Sequence, residues 1–193
     1  MKYKEDIYLE NNNDKIYGEK LPVILYVNNQ YTLANIAVFK NGLIQTFWGL
    51  LNFEQTKDKI NEGKLRQSVP NNVKVEVEEL CTILNGQFIP DKSNEDFIKE
   101  IEDLINEFNN RDTRRSICEA AYKIFLIAPT NSNLDNLTEK YNDLPTHQNV
   151  IFEYIDVKDP LCRFMKDGRN YSFENRKELL QYYFKFELKK PNQ

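Results

Sequence analysis

Histidine and tryptophan each occur once in this chain of 193 residues, methionine twice, cysteine three times and glycine six times. A lone histidine, His147, excludes any multi-histidine metal site and the usual spacings of histidine with carboxylate that hold zinc. Cys81, Cys118 and Cys162 lie far apart with no CxxC among them. An odd, scattered set of this kind reads as reduced thiols in a cytosol. No window approaches about eighteen consecutive apolar residues, and Met1-Lys-Tyr-Lys-Glu-Asp lacks the apolar stretch of a signal peptide. The expectation is a cytoplasmic chain that neither spans a membrane nor is exported by that route. An excess of one charge is also missing: 26 basic side chains stand against 30 acidic ones, and a net charge of −4 gives no global attraction to nucleic acid or anionic lipid. There are no internal repeats.

What is present is enough apolar material for a core, 40% of the residues, with 12% aromatic. Heavy use of Asn, Lys and Ile at the expense of Ala and Arg has the composition of an AT-rich bacterial coding sequence. The clearest local structure is the run Tyr31 to Leu50, in which two segments rich in β-branched and aromatic residues flank Asn41-Gly42. That dipeptide favours φ > 0 at both centres of a type I′ turn, so the run reads as a β-hairpin. Pairing outward from a two-residue loop sets Phe39 opposite Ile44, Ala37 opposite Thr46, Asn35 opposite Trp48 and Leu33 opposite Leu50. In that register one face is almost wholly apolar, and Trp48 belongs to the core.

Around this hairpin the expected fold class is α+β: an N-terminal antiparallel β-meander with a short helix inserted, then a helical half with one late strand. Residues 1–20 are polar and are expected to form a loose or edge-lying start, with structure beginning at Leu21. A single domain is expected over 21–193, sheet-rich over 21–90 and helix-rich over 91–193. Pro22 to Val27 followed by Asn28-Asn29 reads as a strand and turn. Asn52 caps a short helix over Phe53 to Glu62, with Gln55 closing a capping box, Gly63 at its end, and Phe53, Thr56 and Ile60 facing inward. Leu65 to Val69, Val73 to Val77 and Thr82 to Ile89 supply further strands. Ser93, with Asp96 three residues on, caps a helix striped by Phe97, Ile98, Ile101, Leu104, Ile105 and Phe108. A second helix starts at Asp112 or Thr113, carries Ile117, Cys118, Ala121, Ile124 and Phe125 on one side, and ends before Pro129. Ser132 opens a third, Val150 to Ile155 is the late strand, and Ser172 caps a last helix.

Several groups of residues are candidates for chemistry or binding. His147 sits in a loop and reads as structural or solvent-facing, since no GxSxG or cysteine motif lies near it. Asp156 and Asp159, with Lys158 between them, follow the late strand; two carboxylates there would suit Mg²⁺, but no third acidic residue follows at a supporting spacing, and the ordinary turn chemistry of Asp before Pro-Leu is the favoured reading. Arg111, Arg114 and Arg115, with a C-terminal segment holding eight Lys/Arg against four Asp/Glu from Cys162 on, would make a basic patch for phosphate or nucleic acid. Neutralisation by the acidic stretch Asp91 to Glu107 is the simpler reading. Tyr182, Tyr183, Phe184 and Phe186 cannot all face one side of a helix, and that surplus suggests a partner surface.

The residues from Tyr17 to Leu161 resemble a family of uncharacterised bacterial proteins, a domain of unknown function. The resemblance is carried by Tyr17-Gly18, Leu21-Pro22-Val23, Tyr31, Val38, Asn41-Gly42-x-Ile44, Trp48-Gly49, Phe53, Lys59, Gly63, Ser68-Val69-Pro70, Asp156 and Lys158-Asp159-x-Leu161. The chain departs from the pattern at Lys64-Leu65, where similar proteins carry Trp-Val after the glycine, and at Phe47, where cysteine is expected. The resemblance implies a shared fold and no known activity.

These observations favour a non-enzymatic protein that binds another protein or itself, in the manner of a small immunity or accessory component of a bacterial toxin or defence system. Asp96, Glu100, Asp103 and Glu107 are spaced along one side of a helix and would meet a basic surface, with Tyr182 and Phe186 as a second contact region. A metal-dependent hydrolase or nuclease built on Asp156, Asp159, Lys158 and His147, and a nucleic-acid-binding module built on the three arginines, are the alternatives. No cofactor, no structural metal and no membrane partner is implied.

Overall fold

The computed structural model describes residues 7–11, 14–77, 80–84, 86, 88–145 and 170–188, and for residues 11 and 182–188 the backbone alone. The chain is mixed α+β and divides into two compact units, one comprising 1–113 with 145–147 and the other 114–144 with 148–193.

The first unit is built on a long hairpin of β2 (Asp14–Val27) and β3 (Gln30–Phe39). Asn28 and Asn29 both have positive φ, 50° and 62°, and Val27 pairs with Gln30 across them. This is the two-residue I′ geometry that suits the right-handed twist of the strands, and asparagine tolerates it. Short strands flank the hairpin. β1 (Ile7–Asn11) and β6 (Leu65–Arg66) pair with β2, while β4 (Ile44–Thr46) and β7 (Val75–Val77) pair with β3. β5 (Gly49–Leu51) and β8 (Cys81–Ile83) extend those two outward. All pairs are antiparallel except β3 with β7. Structure therefore starts before Leu21. The polar residues from Asp14 on enter a strand because Gly18, Glu19 and Lys20 continue the ladder to β3.

The expected register around Asn41-Gly42 is off by one. Val38, not Phe39, pairs with Ile44, and Ala37 pairs with Gln45. The loop has three residues, Lys40 to Gly42: the Phe39 N–H donates to the Leu43 carbonyl at 2.9 Å, the Gly42 N–H donates to the Phe39 carbonyl, and only Gly42 has positive φ, +80°. Asn41 keeps an ordinary φ and its side chain accepts the Leu43 N–H at 3.1 Å. The cause lies at the other end of β3. The Asn28-Asn29 turn sets which N–H groups of β3 face β2, and along an antiparallel strand they alternate. By that alternation the Lys40 N–H faces β2, where it donates to the Tyr17 carbonyl at 2.9 Å, and the Phe39 N–H is the one left for β4. A two-residue loop needs the reverse.

The slip decides which face is the core. Ile36, Val38 and Ile44 lie on one face with Leu21 and Val23 and are buried, while Asn35 and Gln45 point the other way and are exposed. Trp48 is not opposite Asn35; it lies half-buried in the turn between β4 and β5, beside the core rather than inside it. Two helices cover the apolar face. α1 (Phe53–Asn61) has the expected capping box, Gln55 N–H to Asn52 Oδ1 and Asn52 N–H to Gln55 Oε1, both at 2.9 Å. It turns Thr56 and Ile60 inward and stops at Gly63, φ +69°. α2 (Asn94–Phe108) is capped by Ser93 and buries Phe97 and Ile101 against Leu21, Val23, Ile36, Val38, Ile44 and Leu65. Each of these side chains, fully buried, contributes roughly 1.5–3 kcal/mol. On the opposite sheet face a smaller cluster gathers Ile24, Val69 and Val75 with Tyr31, Val73 and Phe88.

In the second unit α3 (Arg114–Ile127) and α4 (Asn131–Asn142) form a helical hairpin, and Cys118, Ala121 and Phe125 pack on Leu134, Leu137 and Leu144. Ile117 and Ile124, expected on the inner side of α3, are 40% and 50% exposed and mark its margin. α4 opens two residues earlier than Ser132 suggested, because Thr130 is the cap and accepts the Asn133 N–H at 3.2 Å. α5 (Phe173–Leu188) is capped by Ser172, whose Oγ accepts the Asn175 N–H, and lays Leu180 into the same cluster. The late strand expected over 150–155 lies outside the described residues.

Candidate functional site

Side chains that point to the same face as Leu21 and Val23 follow the hairpin toward its turn: Leu25 and Val27 on β2, Thr32 and Gln30 on β3. The helices cover the first part of that face, and the last part is left as the floor of a groove of about 620 Å³. One wall is Phe47, 64% exposed, at the turn between β4 and β5. The turn is fixed by Thr46, whose Oγ1 donates to the Gly49 carbonyl at 3.0 Å and accepts the Trp48 N–H at 3.2 Å, and Gly49 takes φ +96°. Phe47 is held edge-on to Trp48, ring centroids 5.5 Å apart, and Lys59 Nζ lies 5.5 Å from the Trp48 ring. The β7–β8 hairpin, which pairs with β3 nearer the Asn28-Asn29 turn, also lines the groove through Glu76, Val77, Cys81 and Thr82, with Leu80, 79% exposed, at its tip.

Among the described residues the one charged side chain lining the groove is Glu76, 2.7 Å from Lys74 Nζ. Gln30, Thr32, Thr82 and Asn28 supply neutral donors and acceptors. Cys81 is exposed there. Among the described residues no group of three or more His, Cys, Asp or Glu is placed to hold a metal ion, and no helix is long and apolar enough to cross a membrane.

The residues singled out from sequence fall elsewhere. Asp96, Glu100, Asp103 and Glu107 do not make one open acidic face. Asp96 is buried and closes the capping box, its N–H donating to Ser93 Oγ at 3.0 Å. Asp103 is buried as well, Glu100 is half-buried and paired with Lys92, and of the four Glu107 alone is exposed. An aspartate at the third helical position serves its own helix start, which spacing along the face does not reveal. Arg111 is exposed in the first unit. Arg114 and Arg115 belong to the second and are balanced there, Arg114 Nε 3.3 Å from Asp143 and Arg115 Nε 2.9 Å from Glu119. Each of these two arginines thus has a carboxylate partner within its own unit. Tyr182 and Phe186 lie on α5 with side chains outside the described set, and His147, Asp156, Lys158 and Asp159 lie outside the described residues altogether.

Two features escaped the sequence reading. The first is the groove, whose signal was the drift from Val38, Ile36 and Ala34 to Thr32 and Gln30 along one face of β3. The second is Arg176, 2% exposed in the second unit, which donates through Nη1 to the Pro129 carbonyl at 3.0 Å and through Nη2 to Asn131 Oδ1. Its guanidinium meets the carbonyl end of α3, where a cation is favoured. In a charged C-terminal segment nothing in the sequence distinguishes this buried arginine.

No curated protein and no solved structure matches the chain. A family does match, over a stretch that holds all eight described strands, α1, α2 and the groove, and that ends short of Asp156 and Lys158-Asp159. Since residues 7–112 are more than half of the chain, it belongs to the family described as Domain of unknown function (DUF7638).

Proposed function

We propose that the protein works by binding another protein, and that the groove between Phe47 and Leu80 is where it does so. The observation that carries this reading is the pair of large apolar side chains, Phe47 and Leu80, held out to solvent beside a concave floor of the uncharged side chains Leu25, Val27, Gln30 and Thr32. Exposed aromatic and aliphatic anchors beside a concavity are what a protein interface is made of, whereas a site for a small charged substrate gathers convergent charged groups. Phe47 is positioned by the Thr46 turn and by Trp48, so presenting it loses little side-chain entropy on binding. An immunity or accessory role in a toxin or defence system is the narrower form of the same reading.

The test is affinity capture from the native host with the parent chain and with Phe47→Glu, the mass of each complex measured by light scattering. The expected outcome is a stoichiometric partner with the parent and at least tenfold less of it with the variant. No stoichiometric partner, or one retained equally by Phe47→Glu, overturns the proposal. A toxin as the captured partner would support the immunity form.

A further inference from the structure

We propose that two copies of this chain pair edge to edge through β8, joining their sheets into one. The inference stands apart from the reading of the groove as a partner site. Among the described residues β8 pairs with β7 alone, so its outer side presents a row of backbone N–H and C=O groups that only another strand can satisfy without water. All of Leu80 to Leu84 is exposed, with Leu80 at 79%, Leu84 at 66% and Ile89 nearby in sequence at 85%. Sheet edges that must stay unpaired carry charge, proline or a bulge. β1, at the other side of the sheet, ends in Glu10-Asn11, and Lys15 lies 4.2 Å over the Tyr8 ring. Leu80-Cys-Thr-Ile-Leu84 has neither charge nor proline.

A second copy is the occupant this edge fits. An uncharged strand is its own complement: antiparallel pairing about a twofold axis perpendicular to the sheet meets each donor row with the same acceptor row and brings no like charges together. On β7's approach Lys74 and Glu76 already neutralise each other. Such pairing consumes the edge and closes at two. It also sets the two grooves side by side on the same sheet face, since Thr82 borders the groove and lies on the strand that would be shared. With three residues in the strand and a few aliphatic side chains beside it, the join is smaller than a standard interface of about 800 Å² per partner, so a dimer that dissociates at roughly 1–100 µM is expected.

Sedimentation of the full chain from about 1 to 200 µM tests this, with Ile83→Lys/Leu84→Lys and Phe47→Glu run in parallel. The parent should move from 22.9 kDa toward twice that mass as concentration rises. The lysine pair should stay monomeric, and Phe47→Glu should dimerise as the parent does. A parent that is monomeric at about 200 µM, open-ended oligomers, or a lysine variant that still dimerises each overturn the proposal. So does a monomeric Phe47→Glu, which would move the join to the groove. Should the lysine variant not fold, amide hydrogen exchange of the parent decides: the amides of 80–84 gain protection at high concentration if β8 is the join, and unchanged exchange there overturns it.

Discussion

Cys118 and Cys81 put the same side chain in opposite surroundings. Cys118 is fully buried on α3, and burial, with the Glu119 carboxylate adding to it, pushes its thiol up to about 11. At pH 8 about one molecule in a thousand carries that thiolate, so the residue is a small apolar core side chain. Cys81 is exposed. An alkylating reagent at pH 8 should therefore label Cys81 in the native chain and reach Cys118 only after denaturant, as read by peptide mass; equal native labelling would contradict the packing. The raised value also has a sign in stability. The unfolded thiol ionises above about 9 and the folded one above about 11, so this contribution is complete below pH 9 and is lost as pH rises to 11. Denaturation midpoints at pH 8 and 10.5 should fall less steeply in Cys118→Ala than in the parent. The apolar neighbours of Cys118 were legible in its helical spacing. Gly18 was not, because its constraint comes from across the sheet: a Cβ there would meet Phe39 Cδ1 and the Val38 carbonyl oxygen, both at 2.6 Å. The ring can turn but the carbonyl belongs to the ladder, so Gly18→Ala should lower stability by about 1–3 kcal/mol in a urea titration.

At the level of elements, what the sequence made plain was whatever depends on a few adjacent residues. The capping boxes at Asn52 and Ser93, the stop at Gly63 and the stripe of α2 all stand where spacing put them. The register at Asn41-Gly42 failed because it depends on two turns together. β3 begins at an I′ loop, and the alternation counted from there fixes the parity of the N–H groups eleven residues later; the dipeptide read alone carries no such count. The parity is legible in principle from the Asn28-Asn29 turn when the N–H groups are counted along the strand from it. The two loop geometries make opposite demands on Asn41, which the I′ form would hold at positive φ and the three-residue form does not. Asn41→Ala should therefore lose only the bond to the Leu43 N–H, less than about 1 kcal/mol, whereas Gly42→Ala should lose about 1–2 kcal/mol through its φ of +80°. Comparable losses at the two positions, measured by chemical denaturation, would restore the two-residue loop.

For the whole molecule, the matched family ends at residue 112 and the first compact unit has its main boundary at 113. The composition shift after Pro90 marks where strands give way to helices within the single domain expected over 21–193; α2, just beyond it, supplies Phe97 and Ile101 to the cover of the sheet, so the first long helix packs with the strands. Once α2 is counted in, the sheet has an apolar face closed by α1 and α2 and a core of its own, and the number of residues is sufficient for independent folding. Trp48, the single tryptophan, packs beside that core, so its fluorescence follows the first unit and is silent on the second. A chain of residues 1–113 should then unfold cooperatively, with a Trp48 emission midpoint within about 5 °C of the full chain's and with the folded emission maximum unchanged. Helical signal at 222 nm in the full chain includes α3, α4 and α5, whose cluster around Phe125 and Leu137 and whose buried Arg176 belong to the second unit. If the two units fold independently, the two probes will give different midpoints in the full chain, and removal of residues 114–193 will abolish only the second. Coincident transitions in the full chain, together with a 1–113 fragment whose Trp48 emits as in denaturant, would mean instead that the family's domain depends on the helices that follow it in this protein.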